Sequence, residues 1–138
     1  ADLQVQKIAA AAVADADAAI EKVAIQDAIA AIWTLVDELN NYITVQEPWV
    51  LAKDEANHER LGTVLNTTIE GLRVLAVLLN PITPKATAKL WAAIGGTLGA
   101  LNDQQILAAA NWSQFQAGAA IAELEALFPR IETTEEEK

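Results

Sequence analysis

The stretch IQDAIAAIWTLVDELNNYITVQEPWVLAK, residues 25–53, decides the fold. Its larger aliphatic residues, Ile25, Ile29, Ile32, Val36, Leu39 and Ile43, step by 4-3-4-3-4, the spacing of one helical face. Asp27, Asp37 and Glu38 fall outside that stripe, so the spacing predicts a long amphipathic helix packed on neighbours. Pro48 ends it, because proline disfavours helical geometry at Glu47 and suits the first turn of a new helix. A short helix from Pro48 to about Ala56 is expected, and Asp54 to His58 reads as a polar turn.

Downstream, Leu61, Leu65, Thr68, Leu72, Leu75 and Leu79 again step by four and three, with Val64, Ile69, Ala76 and Leu78 widening the face. Asn80-Pro81 stops that helix. Pro84 opens another, which carries Ala88, Leu90, Trp91 and Ile94 and breaks at Gly95-Gly96 and Gly99. Beyond Gly99 the apolar residues Ile106, Leu107 and Trp112 sit in short segments. Ile121, Leu124, Leu127 and Phe128 follow Gly118, and Pro129 disrupts any continuing helix. Upstream, Leu3 to Val23 is an alanine-dominated helix whose larger apolar positions are Leu3, Ile8, Ala12, Val13 and Ile20. The expected architecture is all-α: a bundle of about five helices, two of them long, with an irregular C-terminal extension.

At 138 residues the chain is long enough for one domain and not for a second. Residues 1–132 read as that domain, and 133–138 as a disordered acidic tail. Ala and Leu, the best helix formers, dominate a composition that is 53% hydrophobic. Cysteine is absent, which excludes disulfides, thiolate metal sites and a cysteine nucleophile. Methionine is absent too; a primary translation product begins with it, so the sequence reads as a piece of a longer protein. No run of 18 purely apolar residues occurs, and no membrane partner is expected.

The net charge of −10 argues against a phosphate-binding surface built on Lys and Arg. The distribution softens the objection. Between Asn40 and Gly95 five acids (Glu47, Asp54, Glu55, Glu59, Glu70) meet five bases (Lys53, Arg60, Arg73, Lys85, Lys89), so the middle is neutral. Any RNA contact there relies on stacking and base edges more than on a charged groove.

A search for catalysis returns little. The one histidine, His58, lies in a polar turn and reads as solvated, and no Ser-His-Asp set can be built on it. A single histidine also cannot supply the paired Glu-x-x-His ligands of a bundle-core di-metal site. Gly95-Gly96-Thr97-Leu98-Gly99 lacks the lysine of a phosphate loop. The carboxylates read as mostly solvated, so the expectation is no catalytic residue, no metal and no cofactor within these residues. What stands out is Glu47-Pro48-Trp49-Val50-Leu51-Ala52-Lys53, where tryptophan follows a helix-breaking proline. An indole at such a corner either stacks on an unpaired base, worth about 1–3 kcal/mol by alanine substitution, or covers the hinge between two helices. Trp33, Trp91 and Trp112 read as core or half-core residues.

Taken together as a string, residues 25–132 resemble the helical anticodon-binding domain of bacterial methionyl-tRNA synthetases. Asn40-Asn41-Tyr42 is similar to that family's Asn-x-Tyr near the end of a long helix, and Glu47 to Lys53 to its Pro-Trp-x-x-Ala-Lys element. Leu72-Arg73-Val74-Leu75-Ala76, running into Leu78-Leu79-Asn80-Pro81, resembles its leucine-rich helix closing on proline. Pro84-Lys85 resembles its Met-Pro-Lys, with Thr83 where Met is common. Leu127-Phe128-Pro129-Arg130-Ile131-Glu132 matches its Leu-Phe-Pro-Arg-Ile-Glu.

The resemblance implies a class I helical bundle that reads the CAU anticodon of methionine tRNA in the cytoplasm, within an ATP- and magnesium-dependent methionine–tRNA ligase. It implies that Trp49 stacks on an anticodon base and that Pro48 sets its orientation. Asn40 and Tyr42 would brace the corner, and Lys53 would contact phosphate. Leu127, Phe128, Pro129, Arg130 and Ile131 would fold back toward the catalytic domain of the same chain. Two departures stand out. The family's earlier helix supplies an asparagine and an arginine to the anticodon, and this chain has neither before Glu21; the His-Ile-Gly-His and Lys-Met-Ser-Lys-Ser signatures of the catalytic domain are also missing. The piece alone should therefore bind tRNA weakly. Two rivals remain: the anticodon-binding bundle of another class I synthetase, and a structural or interaction bundle indifferent to RNA.

Overall fold

The computed structural model describes residues 1–94, 98–116 and 118–132. Five α-helices follow one another: α1 (Asp2–Glu21), α2 (Ile25–Gln46), the single turn α3 (Pro48–Leu51), α4 (His58–Leu79) and α5 (Pro84–Ile94). Three 3-10 turns, Glu55–Asn57, Leu101–Asp103 and Leu107–Ala110, complete the regular structure. No strand occurs among the described residues, and the fold is the expected all-α bundle. Three helices rather than two are long, since α1, α2 and α4 run 20, 22 and 22 residues. The helix expected from Pro48 to Ala56 stops after one turn. Asp54 interrupts it with extended backbone and caps the following 3-10 turn by accepting the Ala56 N–H at 3.0 Å. Gly95, Gly96 and Thr97, and the acidic tail 133–138 read above as disordered, lie outside the described residues.

The α1–α2 pair is built on small side chains. Val5, Ala9, Ala12, Ala16 and Ala19, spaced 4-3-4-3, form the buried strip of α1 with Val13 beside them; of the apolar positions expected, Ala12 and Val13 are buried, Leu3 is exposed, and Ile8 and Ile20 are half-buried. Alanine carries no side-chain entropy to lose and lets two backbones approach closely. The link to α2 is a Schellman turn: Val23 N–H donates to Ile20 O at 2.9 Å and Ala24 N–H to Ala19 O at 2.8 Å. Val23 itself sits at φ 57°, a left-handed conformation that glycine usually supplies.

The buried stripe of α2 is Ala28, Ile32, Leu35, Leu39 and Tyr42, which corrects the face expected from the aliphatic spacing. Ile32 and Leu39 belong to both faces; Ile25 and Ile29 are exposed, and Val36 and Ile43 half-buried. The helix is turned toward its small and aromatic side because α1 presents alanine there and α4 closes the other flank. A similar rotation applies to α4. Its inner stripe is Val64, Thr67, Gly71, Val74 and Leu78; of the expected face Leu75, Val64, Ala76 and Leu78 are buried, while Leu65 is exposed and Leu61, Thr68, Leu72 and Leu79 are half-buried. Gly71 marks the closest approach: a Cβ built there would lie 2.6 Å from Leu39 Cδ2.

The second half of α4 is covered on more than one side. Glu70 and Arg73, one turn apart, are 0% and 1% exposed, so the reading of the carboxylates as solvated fails at Glu70. The Glu70 carboxylate accepts from Arg73 Nε at 3.1 Å and Nη2 at 3.0 Å, and also from the Phe115 N–H. Arg73 Nη2 donates onward to Ala109 O at 3.2 Å and Asn111 O at 2.8 Å. One buried ion pair thus ties residues 109–115 of the extension to the central helix, and Ala109 and Phe115 are buried with it.

Of the tryptophans read as core, Trp33 is 56% exposed. It lies on the outward side of the rotated α2 face. Trp91 and Trp112 are half-buried against the core, and Trp91 Nε1 donates to Gly99 O at 2.9 Å. Residues Glu55–Leu79 are long and apolar enough to cross a membrane by length and composition, yet 56% of that apolar window is buried inside the bundle. Among the described residues no cluster of three His, Cys, Asp or Glu side chains could hold a metal ion.

Candidate nucleic-acid interface

The corner between α2 and α4 begins at Glu47. Its N–H still donates to Ile43 O at 3.0 Å, but its backbone swings to φ 46°, ψ 60°. Pro48, which cannot extend the preceding helix, opens α3 in the favoured first position. The chain therefore turns sharply on one left-handed residue and restarts. Val50 and Leu51 donate back to Glu47 O at 2.8 and 3.2 Å, which closes the new turn.

The turn divides its side chains in two directions. Leu51 packs on the core cluster and anchors the corner. Trp49 is 54% exposed, Val50 is exposed beside it, and Val45 is exposed on the last turn of α2. A half-exposed indole on a proline-restricted backbone offers a flat apolar face at little conformational cost. Lys53 is exposed one turn beyond, with its N–H donating to Val50 O at 3.1 Å. Pro48 is half-buried.

Beneath the corner lies a polar cluster that the sequence did not advertise. The Asp2 carboxylate at the start of α1 accepts from the Tyr42 hydroxyl at 2.5 Å. It also accepts two bonds from Arg60 in the first turns of α4, Nη1 to Oδ2 at 2.7 Å and Nη2 to Oδ1 at 2.9 Å. Arg60 Nη2 also donates to Gln46 Oε1 at 2.5 Å. The Arg60 bonds hold the Asp2 carboxyl down at about 2, with the Tyr42 hydrogen bond in support. Burial, and then the bond to Asp2, push the Tyr42 phenol up to about 12. Arg60 is itself raised above its ordinary value, chiefly by its hydrogen bond to Asp2.

Of the residues singled out from sequence, Pro48, Trp49 and Lys53 meet at the corner. Tyr42 is 2% exposed and turns its hydroxyl inward to Asp2, so its contribution is to the base of the corner and not to its surface. Asn40 is exposed two turns earlier on α2, where its carbonyl accepts from Thr44 Oγ1 at 2.8 Å. Lys85 and Lys89 line a separate hollow on α5 with Pro84, Leu127 and Phe128. Sequence reasoning missed Asp2, Gln46 and Arg60, because Asp2 and Arg60 stand 58 positions apart and nothing local couples them.

The electrostatics of the corner favour stacking over charge. Of the five bases in the middle segment, Arg73 is buried and Arg60 is engaged by Asp2, leaving Lys53 as the corner's exposed cation. Glu47, Asp54, Glu55 and Glu59 are exposed around it. A polyanion drawn here by charge alone would find little purchase, whereas an unpaired base stacking on Trp49 needs no cationic groove.

Residues 4–137 match the family described as the anticodon-binding domain of tRNA ligase. Among full-length relatives, the methionine–tRNA ligase of Streptomyces coelicolor is 47% identical over 126 residues, covering 88% of this chain and 23% of that protein. The methionine–tRNA ligase of Caldanaerobacter subterraneus is 35% identical over 117 residues, covering 85% of this chain and 18% of its own length. The crystal structure of free Mycobacterium tuberculosis methionyl-tRNA synthetase superposes with a TM-score of 0.83 at 28% identity, over 96% of this chain and 26% of that one. The same enzyme in complex with methionyl-adenylate gives a TM-score of 0.81 at 29% identity, over 94% of this chain and 25% of that one. The chain thus spans roughly a quarter or less of each of these proteins. On the family match, which runs over nearly all its length, the chain belongs to the anticodon-binding domains of tRNA ligases.

Proposed function

We propose that the chain is the anticodon-reading module of a methionine–tRNA ligase and that it recognises the CAU anticodon of methionine tRNA. The observation that carries this reading is Trp49: a half-exposed indole on a proline-set corner, in a chain whose relatives are methionine–tRNA ligases. Trp49 stacks on an anticodon base, Pro48 and the left-handed Glu47 orient it, and Lys53 reaches a neighbouring phosphate. Tyr42 braces the corner from beneath, and Asn40 supports it from the adjoining turns of α2.

The parent's chemistry lies elsewhere in its chain. A structural relative of this chain is in complex with methionyl-adenylate, which supports a ligase that activates methionine with ATP in a catalytic domain outside these 138 residues; magnesium beside the ATP is part of the proposal. Leu127, Phe128, Pro129, Arg130 and Ile131 are the contact with that domain. Phe128 and Ile131 are among the most exposed large apolar side chains, as a segment seated on a partner surface requires. The reading puts the protein in the cytoplasm with the translation machinery. Binding energy at the anticodon then favours productive placement of the distant acceptor end.

The test is Trp49→Ala in the full-length parent. Stacking is worth about 1–3 kcal/mol, so charging of methionine tRNA should fall roughly 5- to 150-fold in kcat/KM. Methionine activation, measured by pyrophosphate exchange, should stay near the native rate. Equal loss of both activities would make Trp49 a packing residue and remove the reading.

A further inference from the structure

The segment carrying Trp49 is strung between two long helices; Leu51 packs on the core, and the Arg60 side chain links its two ends. It leaves α2 at Gln46 and joins α4 at His58. Within it, only the one-turn α3 and one 3-10 turn are regular, and the chain leaves α2 through the left-handed torsion of Glu47. Arg60 bridges the two ends. Its Nη2 holds Gln46 Oε1, the residue before the hinge, at 2.5 Å, while both its terminal nitrogens grip Asp2 of α1. Asp2 in turn accepts from Tyr42 on α2, so three helices converge on one guanidinium.

This cluster is poorly placed to serve global stability. Arg60 and Asp2 keep 38% and 34% of their side-chain surface in solvent, and pairs so exposed contribute little to folding. A planar fork fixed on a carboxylate does, however, define direction as well as distance. We propose that Arg60 is a positioning residue for RNA recognition: by closing the base of the corner onto Gln46 and Asp2, it holds Trp49 in the orientation that stacks on a base. The proposal rests on the base-stacking role of Trp49.

The test is a double-mutant cycle in the full-length parent, with binding of an RNA hairpin that presents CAU in its loop. Arg60→Met should weaken binding roughly 5- to 10-fold, within the range of coupled neighbours, while circular dichroism and Tm stay near native. In a Trp49→Ala background the same substitution should change binding less than about 2-fold, because no stacking is left to misorient. Asp2→Asn separates this role from a direct phosphate contact. Removing an acid near RNA and freeing Arg60 would strengthen binding if Arg60 touched phosphate; the positioning role predicts weaker binding. The salt dependence gives a third readout: its slope should be unchanged in Arg60→Met, where loss of a phosphate contact would reduce it by about 1.

If Trp49→Ala binds as tightly as the native enzyme, the stacking reading falls and the positioning role with it. If Trp49→Ala weakens binding but Arg60→Met adds its full effect in that background, the positioning role alone is overturned. An Arg60→Met enzyme that loses its fold, or an Asp2→Asn enzyme that binds more tightly, overturns it as well.

Discussion

Replacing Glu70 by leucine is the sharpest test of what holds the C-terminal extension to the bundle. The substitution puts an apolar side chain of similar bulk in place of the carboxylate and so removes the acceptor of three hydrogen bonds, two from Arg73 and one from the Phe115 N–H. Glu70 and Arg73 are 0% and 1% exposed, so solvent cannot reach in to replace the lost partner. Breaking such a pair from one side leaves an uncompensated buried cation and costs about 3–5 kcal/mol. The orphaned Phe115 N–H moves the expectation to the upper end of that range. With an unfolding entropy of about 2.1 cal/mol/K per residue, a chain of this length loses roughly 10–17 °C in Tm. Calorimetry of the 138-residue chain measures it. Amide exchange shows where: protection should drop first over residues 106–115, where Arg73 holds the carbonyls of Ala109 and Asn111. The double variant Glu70→Leu/Arg73→Met, which removes both charges, should recover most of the loss and end within about 1–2 kcal/mol of native. A Tm within about 3 °C of native for Glu70→Leu alone would refute the reasoning, since the pair would then contribute no more than an exposed one.

Four further predictions concern the glycines of α4, the α1–α2 turn, Asp2 and Tyr42. Gly62 and Gly71 share α4, but a Cβ at Gly62 meets nothing within 4 Å, whereas one at Gly71 would crowd Leu39 at 2.6 Å. Gly62→Ala should stabilise the chain by about 0.5–1 kcal/mol in urea unfolding, while overpacking of about 1–3 kcal/mol makes Gly71→Ala neutral to destabilising. Val23→Gly should raise Tm, because valine at φ 57° carries a left-handed penalty of roughly 1–2 kcal/mol that glycine avoids; a lower Tm would count against strain at the α1–α2 turn. Asp2, lowered to about 2, adds a small, solvent-screened contribution above its ordinary value of 3.8 that is lost as pH falls toward 2, so Asp2→Asn should slightly flatten the acid limb of a stability–pH curve there. Tyr42 runs the other way: raised to about 12, it contributes below pH 10 and loses that contribution as pH rises toward 12. As the only tyrosine, it can be followed by phenolate absorbance, and Asp2→Asn should move its titration toward 10.

The corner at Pro48 was legible because its causes are local. Proline restricts Glu47 and removes a donor, and these effects act within two residues whatever surrounds them. Helix existence in α2 and α4 was legible for the same reason, since apolar residues at four and three can only be gathered on one side by a helix. Which side faced inward was not. In α2 the sets beginning at Ile25 and at Ala28 share Ile32 and Leu39 and both keep helical spacing. Periodicity therefore gives a face its width, and the neighbouring alanines of α1 choose its centre. Trp33 fell on the wrong side of that choice.

By itself, the sequence determined an all-α chain, the break before Trp49, the absence of cysteine chemistry and the ordered motifs that point to the family. These rest on torsional preferences and short-range spacing, which act before any two helices meet. Tertiary structure alone decided that Glu70 and Arg73 are buried and hold the extension. It also decided that Asp2, Gln46 and Arg60 meet beneath the corner, that Tyr42 turns inward and that Trp49 stays half in solvent. Burial and charge pairing depend on which faces come together, and segments as far apart as Asp2 and Arg60 become neighbours only once the bundle has assembled.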